Sequence, residues 1–334
     1  MRTKKPWLKH YPDGTPKVLE FDPRRTLVTL LDESEAKYSS HLAFTNFDVS
    51  IDYTKIAEDS RSFAAYLQNV LGLKKGDRIA MMMPNLLQYP IAIFGALRAG
   101  LIVVNVNPLY TPRELKHQLQ DSGAKAIIIF ENSAHVLSAI NDDVQIEHVI
   151  ITKIGDYLGL KGYLMNFILK YIKRMVPSHK LKNTIPFKTT LERPVADFNE
   201  VIINLDDLAF LQYTGATTGL SKGSMLSHGN VTANIEQLKS MLNDVVEEGT
   251  EIWINALPMY HIYSLVVLVF SGYDAGGLNV LVTNPRDTKG FVNELKKWPF
   301  TFFNGVNTLY ESLLNHPDIV NVDFSNMKLS GTGG

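Results

Sequence analysis

From Phe44 to about Val149, short apolar or β-branched runs alternate with amphipathic stretches, and no other feature constrains the fold so strongly. Alternation of this kind feeds strand–helix–strand crossovers, which build a largely parallel sheet with helices on its faces. The expected class is α/β. Residues 56–67 carry apolar side chains at helical spacing, and Gly72 follows as a stop. Residues 78–83 read as a strand running into Pro84 and Asn85, and 86–98 as a helix ended by Gly100. Residues 101–106 form the next buried strand, which Pro108 breaks. Pro112 falls where the first turn of a helix through about Asp121 tolerates it. Residues 126–130 and 148–152 are two further strands.

At 334 residues, and about 150 per domain, the chain is long enough for roughly two domains. The division expected is a first α/β lobe over 1–200 and a second over 201–334, with 186–200 as a surface linker. Between Tyr163 and Met175 the pattern changes to apolar residues with clustered cations, Lys170, Lys173 and Arg174, closed by Pro177. Such a helix either lies in a membrane interface or packs on the protein with its lysines at the rim. Apolar residues surround most of it, which favours packing.

Composition removes several function classes. There are 33 Lys and Arg against 34 Asp and Glu, a net charge of -1, so no global field recruits nucleic acid. With no cysteine, disulfides, thiolate nucleophiles, cysteine-bound zinc and iron–sulfur clusters are all excluded. The basic N-terminus leads into polar residues and Pro12, which does not read as a signal peptide. The longest apolar runs, 126–130 and 265–270, fall far short of the roughly 20 residues of a spanning helix.

Chemistry concentrates after the strand at 208–212. There the chain reads Tyr213, Thr214, Gly215, Ala216, Thr217, Thr218, Gly219, Leu220, Ser221, Lys222, Gly223, Ser224. Glycines let backbone N–H groups approach an anion, threonine and serine add hydroxyl donors, and Lys222 adds a mobile charge suited to polyphosphate. A nucleoside triphosphate is the natural ligand. The spacing is not that of a Walker loop, because Lys222 follows Gly219 by three residues and precedes Gly223. Nor is it the dinucleotide fingerprint, because Gly215 is followed by Ala216 and Thr217.

The segment from Tyr213 to Asn230 resembles the phosphate-binding signature of the adenylate-forming enzymes. The stretches 82–90, 105–115, 256–261 and 283–287 are similar to bacterial long-chain fatty acid–CoA ligases, and the resemblance runs from near the N-terminus to Gly334. It implies a layered, two-lobed N-terminal domain with mostly parallel sheets flanked by helices. It also implies two half-reactions: a long-chain fatty acid carboxylate attacks the α-phosphate of magnesium-ATP, and the thiol of coenzyme A then displaces AMP. Lys222, Thr214, Thr217 and Thr218 would serve the β- and γ-phosphates, and His261 would position the acyl carboxylate and ribose-phosphate. Gly331 and Gly333 would open the adenine-side loop, and residues 263–270 and 302–308 would line an acyl tunnel. Ala216 stands where the family usually has glycine, and Ser221 where proline is frequent; the Ala216 Cβ is expected to narrow the loop.

The family's acidic magnesium ligand, in a Tyr-Gly-x-Thr-Glu motif, and its C-terminal adenylating lysine lie beyond the residues present. No metal ligand can therefore be named, and the chain is expected to bind better than it catalyses. A fatty acid–AMP ligase and a non-catalytic ATP- or acyl-binding module remain the alternatives. The expected location is cytoplasmic, with the segment Tyr163 to Met175 touching the inner membrane face and homodimerisation left open.

Overall fold

The computed structural model describes residues 5–214 and 221–332. Within them, the strands in chain order are β1 (Leu42–Asn46), β2 (Val49–Asp52), β3 (Arg78–Met82), β4 (Ile102–Asn105), β5 (Ala126–Phe130) and β6 (His148–Thr152). Then follow β7 (Ile185–Pro186), β8 (Leu208–Thr214), β9 (Lys222–Ser227), β10 (Ile252–Asn255), β11 (Leu278–Leu281), β12 (Phe302–Gly305) and β13 (Leu329–Thr332). They form a seven-stranded sheet, β7-β6-β5-β3-β4-β8-β9, and a six-stranded sheet, β13-β12-β10-β11-β1-β2. All pairings are parallel except β8 with β9 and β1 with β2, so each sheet ends on one antiparallel hairpin.

The α/β expectation holds, with β5 and β6 at their expected bounds. The helix beginning at Pro112 shows why the local signals were readable. Thr111 caps it by accepting the Glu114 N–H, Glu114 returns the bond to the Thr111 N–H, and Pro112 occupies the first turn, where no N–H partner is needed.

Three expectations need correction. The division at residue 200 does not follow the sheets, because β1 and β2 join the sheet of β10–β13 while β8 and β9 join the sheet of β3–β7. A shared core holds the two sheets together: Tyr273 stacks on Tyr53 with centroids 4.3 Å apart and meets Phe94 edge-on at 5.0 Å. Residues 186–200 are not a loose linker. Phe187 and Thr190 are fully buried, and the side-chain amides of Gln68 and Asn69 donate to the Asn199 and Asp197 carbonyls. Finally, the basic apolar helix does not bury its apolar face. It runs from Gly159 to Phe167 and continues as a π-helical turn to Ile172, leaving Tyr163, Phe167, Tyr171 and Ile172 each more than half exposed. Among the described residues no helix is long and apolar enough to cross a membrane.

Candidate active site

Parallel sheets place their ligands beyond the carboxyl ends of the strands. Here the ends of β3 and β4 from one sheet meet those of β10 and β11 from the other. Asn85, three residues past β3 and almost fully buried, joins them. Its side-chain amide donates to the carbonyls of Asn255 (3.0 Å) and Leu257 (2.9 Å), its Oδ1 accepts the Met259 N–H (2.9 Å), and its carbonyl accepts the Thr283 hydroxyl (2.7 Å). A cavity of about 210 Å³ opens beside it, walled by Pro108, Leu109, Tyr260 and Arg286. Asn85 and Thr283 are thus a joint between the sheets, a role no local pattern reveals.

A second buried chain of hydrogen bonds ties strand β8 to this cleft. The Tyr89 hydroxyl donates to Asn105 Oδ1, the Asn105 amide to Gln212 Oε1, and the Gln212 amide to the Tyr260 carbonyl. Gln212 on β8 therefore fixes the segment 256–261 next to the strand that launches the loop. A low-dielectric network of this kind is rigid when its members are paired.

The hairpin β8–β9 sets Thr214 directly opposite Lys222 and Tyr213 opposite Gly223. Thr214, Lys222 and Ser224 are exposed at the hairpin mouth, and Ser221 is half-buried, its carbonyl accepting from His117 Nε2 at 2.8 Å. Tyr213 is buried and donates its hydroxyl to Asp121; burial, and then that carboxylate, push the phenol above its ordinary range. A Cβ on Gly223 would lie 2.9 Å from the Tyr213 ring, so in this structure that glycine makes room for the tyrosine rather than for phosphate. Gly215, Ala216, Thr217, Thr218, Gly219, Leu220 and Gly333 lie outside the described residues.

His261 is exposed at the end of the segment fixed by Gln212. Its Nδ1 accepts the Tyr263 N–H at 3.3 Å, so the neutral ring carries its proton on Nε2. Gly331 lies on β13, where a Cβ would fall 2.5 Å from Asn304 Oδ1 and 3.7 Å from the Tyr263 hydroxyl. Strand β13 and the segment after His261 are therefore neighbours. Of the stretches expected to form an acyl tunnel, Leu265, Leu268, Phe270, Phe302 and Phe303 are buried in the core, while Asn307 and Thr308 are exposed. His117, Asn85 and Gln212 were not singled out as site residues in the sequence. Each acts through a partner far along the chain: 104 positions from His117 to Ser221, 174 from Asn85 to Met259 and 48 from Gln212 to Tyr260.

A hydroxyl-and-lysine hairpin beside a cleft at the strand ends is the arrangement of a nucleotide-binding α/β protein. Residues 31–334 match the profile of the AMP-binding enzyme family, and the chain belongs to that family. The long-chain-fatty-acid–CoA ligase of Escherichia coli O157:H7 is 50% identical over 333 residues, 99% of this chain and 59% of that protein. The ligase of the same description from Haemophilus influenzae is 46% identical over 98% of this chain and 59% of its own length. A crystal structure of a long-chain-fatty-acid-CoA ligase from Archaeoglobus fulgidus shares the fold with a TM-score of 0.77 at 22% identity, covering 97% of this chain and 60% of that one. An anthranilate CoA ligase in complex with anthranoyl-AMP gives 0.80 at 16% identity, over 93% of this chain and 55% of that one. The chain thus spans about three fifths of the length of these relatives.

Proposed function

We propose that this chain forms the ATP- and acid-binding part of a long-chain fatty acid–CoA ligase. The observation that carries the reading is the pairing of Lys222 with Thr214 at the mouth of a hairpin whose strand is bonded, through Gln212, to the His261 segment. A triphosphate on the hairpin and a carboxylate at Tyr260 and His261 would then share one cleft. In the first half-reaction a carboxylate oxygen bonds to the α-phosphorus while the bond to the bridging oxygen of pyrophosphate breaks. In the second, the coenzyme A sulfur bonds to the acyl carbon and AMP leaves. Phosphoryl-type transfer depends mainly on positioning and charge stabilisation, which Lys222 and the loop hydroxyls supply. His261, exposed and with its Nδ1 occupied by the Tyr263 N–H, serves through Nε2–H as a donor that orients the acid. Among the described residues no group of three or more His, Asp or Glu is placed to hold a metal ion, and magnesium would arrive with the nucleotide phosphates it neutralises.

The reading extends to peripheral contact with an anionic membrane. From Tyr157 to Leu191 there are seven Lys and Arg and no Asp or Glu, leaving 26 Lys and Arg against 34 Asp and Glu elsewhere. This stretch includes the exposed aromatic and aliphatic side chains of the helix Gly159–Phe167, the pairing of cations with apolar surface that binds lipid headgroups. Lys173→Glu with Arg174→Glu should weaken binding to phosphatidylglycerol vesicles severalfold; unchanged binding in a flotation assay would remove this contact. Lys170 is left intact because it is bonded to Glu131 at 2.6 Å.

For the nucleotide site the test is calorimetric titration with ATP. Lys222→Ala should weaken binding roughly tenfold or more, the loss of one charge-assisted contact of about 1.5–3 kcal/mol. Unchanged affinity would show that the hairpin is not the phosphate site.

A further inference from the structure

Beneath the same helix lies a second cavity of about 740 Å³, within the range of roughly 300–1,000 Å³ that ligand pockets occupy. The helix bridges it like a strap held at both ends. At the N-terminal end a Cβ on Gly162 would fall 1.9 Å from the Gly155 carbonyl oxygen, and Asn166 Oδ1 accepts the Gly155 N–H at 2.9 Å. At the other end Lys170 bonds Glu131, and the Asn132 amide donates to the Met175 carbonyl. Between these anchors Leu164, Ile168 and Leu169 face a floor made by Ile154, Val282 and Phe291. Phe47 closes one side from the turn between β1 and β2, where it and Asp48 hold φ of +51° and +64°. A bulky residue is costly in that backbone conformation, so the turn places an aromatic ring on the wall at some expense.

The polar rim has a sign. Lys161 and Lys173 line the groove, and neither has a carboxylate within ion-pair distance among the described residues. The two acids on the rim are already engaged: Asp287 accepts the Gly290 N–H, and Glu294 accepts from Lys297 and from the Trp298 ring N–H. The groove therefore presents hydrocarbon walls and two lysines with no ion-pair partner among the described residues, Lys161 within the field of Asp48, against one rim carboxylate, Asp287, bonded only to a backbone N–H. Its wall residues Val282, Thr283 and Asn284 also line the cleft beside Asn85 and Tyr260.

We infer that this groove is a second site for a free long-chain carboxylate, chain along the floor and head group at Lys161 and Lys173, from which the acid passes over Val282–Asn284 into the reaction cleft. The inference rests on the reading of the chain as part of a long-chain acid ligase and adds to it a holding site between membrane and cleft.

The test is photolabelling of the 334-residue chain with a long-chain fatty acid carrying a terminal diazirine, followed by peptide mass spectrometry. A parallel arm uses phosphatidylglycerol vesicles bearing the same diazirine on one acyl chain. The groove site predicts fatty acid label on peptides containing Leu164, Ile168 and Phe291, reduced roughly tenfold by Lys161→Glu with Lys173→Glu. Both lysines are exposed, so that double variant should fold, as circular dichroism would verify. Ile168→Trp, which fills the groove, should lower the same label. Label confined to peptides around Tyr260 and Asn307 would overturn the groove site and leave the ligase reading standing. No fatty acid label anywhere would overturn both. Groove label from the phospholipid but not from the free acid would also overturn the inference, making the groove a lipid anchor.

Discussion

Histidine 228 shows how far one side chain's environment departs from its residue type. It sits at the start of the helix His228–Met241, 1% exposed, with Nδ1 accepting the Leu27 N–H at 3.3 Å. Burial lowers its pKa from 6.5 to about 4; the Asp207 carboxylate opposes the shift and Lys75 adds to it. The unfolded chain therefore takes up a proton between about pH 6.5 and 4 that the folded chain refuses. Stability held in full above pH 6.5 is lost as pH falls toward 4, by an amount on the order of 3 kcal/mol. His228→Gln should flatten that slope in denaturant midpoints measured across this range; an unchanged slope would exclude His228 as its source. At this scale the sequence displayed Lys222, the hydroxyls and His261 because they are dense in one stretch. It did not display Asn85 or Gln212, whose partners are long-range, and it suggested phosphate approach at Gly223, where the Tyr213 ring is the neighbour.

Among the elements, the helix Gln88–Arg98 ends on a buried cation. Arg98 is 2% exposed and bonds Asp32 and Glu35 at 2.6 Å each, while its Nε donates to the Ser60 hydroxyl. Burial pushes the Glu35 carboxyl upward, and Arg98 and Arg61 pull against it. Removing the cation leaves that carboxylate buried with less compensation, so Arg98→Ala should cost about 3–5 kcal/mol in chemical denaturation. A cost under about 1 kcal/mol would mean water or Arg61 replaces it fully. Helices and strands from 53 to 152 were legible because their caps, prolines and glycines are local signals. The stretches 159–172 and 186–200 were misjudged because burial depends on what the rest of the chain brings alongside. Phe187 finds Phe63 at 5.6 Å, whereas Phe167 and Tyr171, centroids 5.2 Å apart, remain exposed.

At the scale of the molecule, the sheets exchange strands across residue 200 and share the core of Phe44, Phe94, Phe270 and Tyr273. Parallel pairing between distant strands has no local sequence signature, which is why α/β was legible and the interleaving was not. With the core shared, unfolding should be a single event. The near-ultraviolet signal of Trp253, on β10, should fall together with the far-ultraviolet helix signal in guanidinium; two separated midpoints would show that the sheets are independent. The same interleaving brings the β8–β9 hairpin to the His261 segment, and the central claim is that acid and nucleotide meet there. The most direct measurement is equilibrium binding of two non-reactive acyl-adenylate mimics, one with a long acyl chain and one with an acetyl group. The account predicts that both bind, the long-chain mimic at least roughly tenfold more tightly, since each buried methylene contributes up to about 0.8 kcal/mol. Equal affinities, or no binding of either, would contradict it.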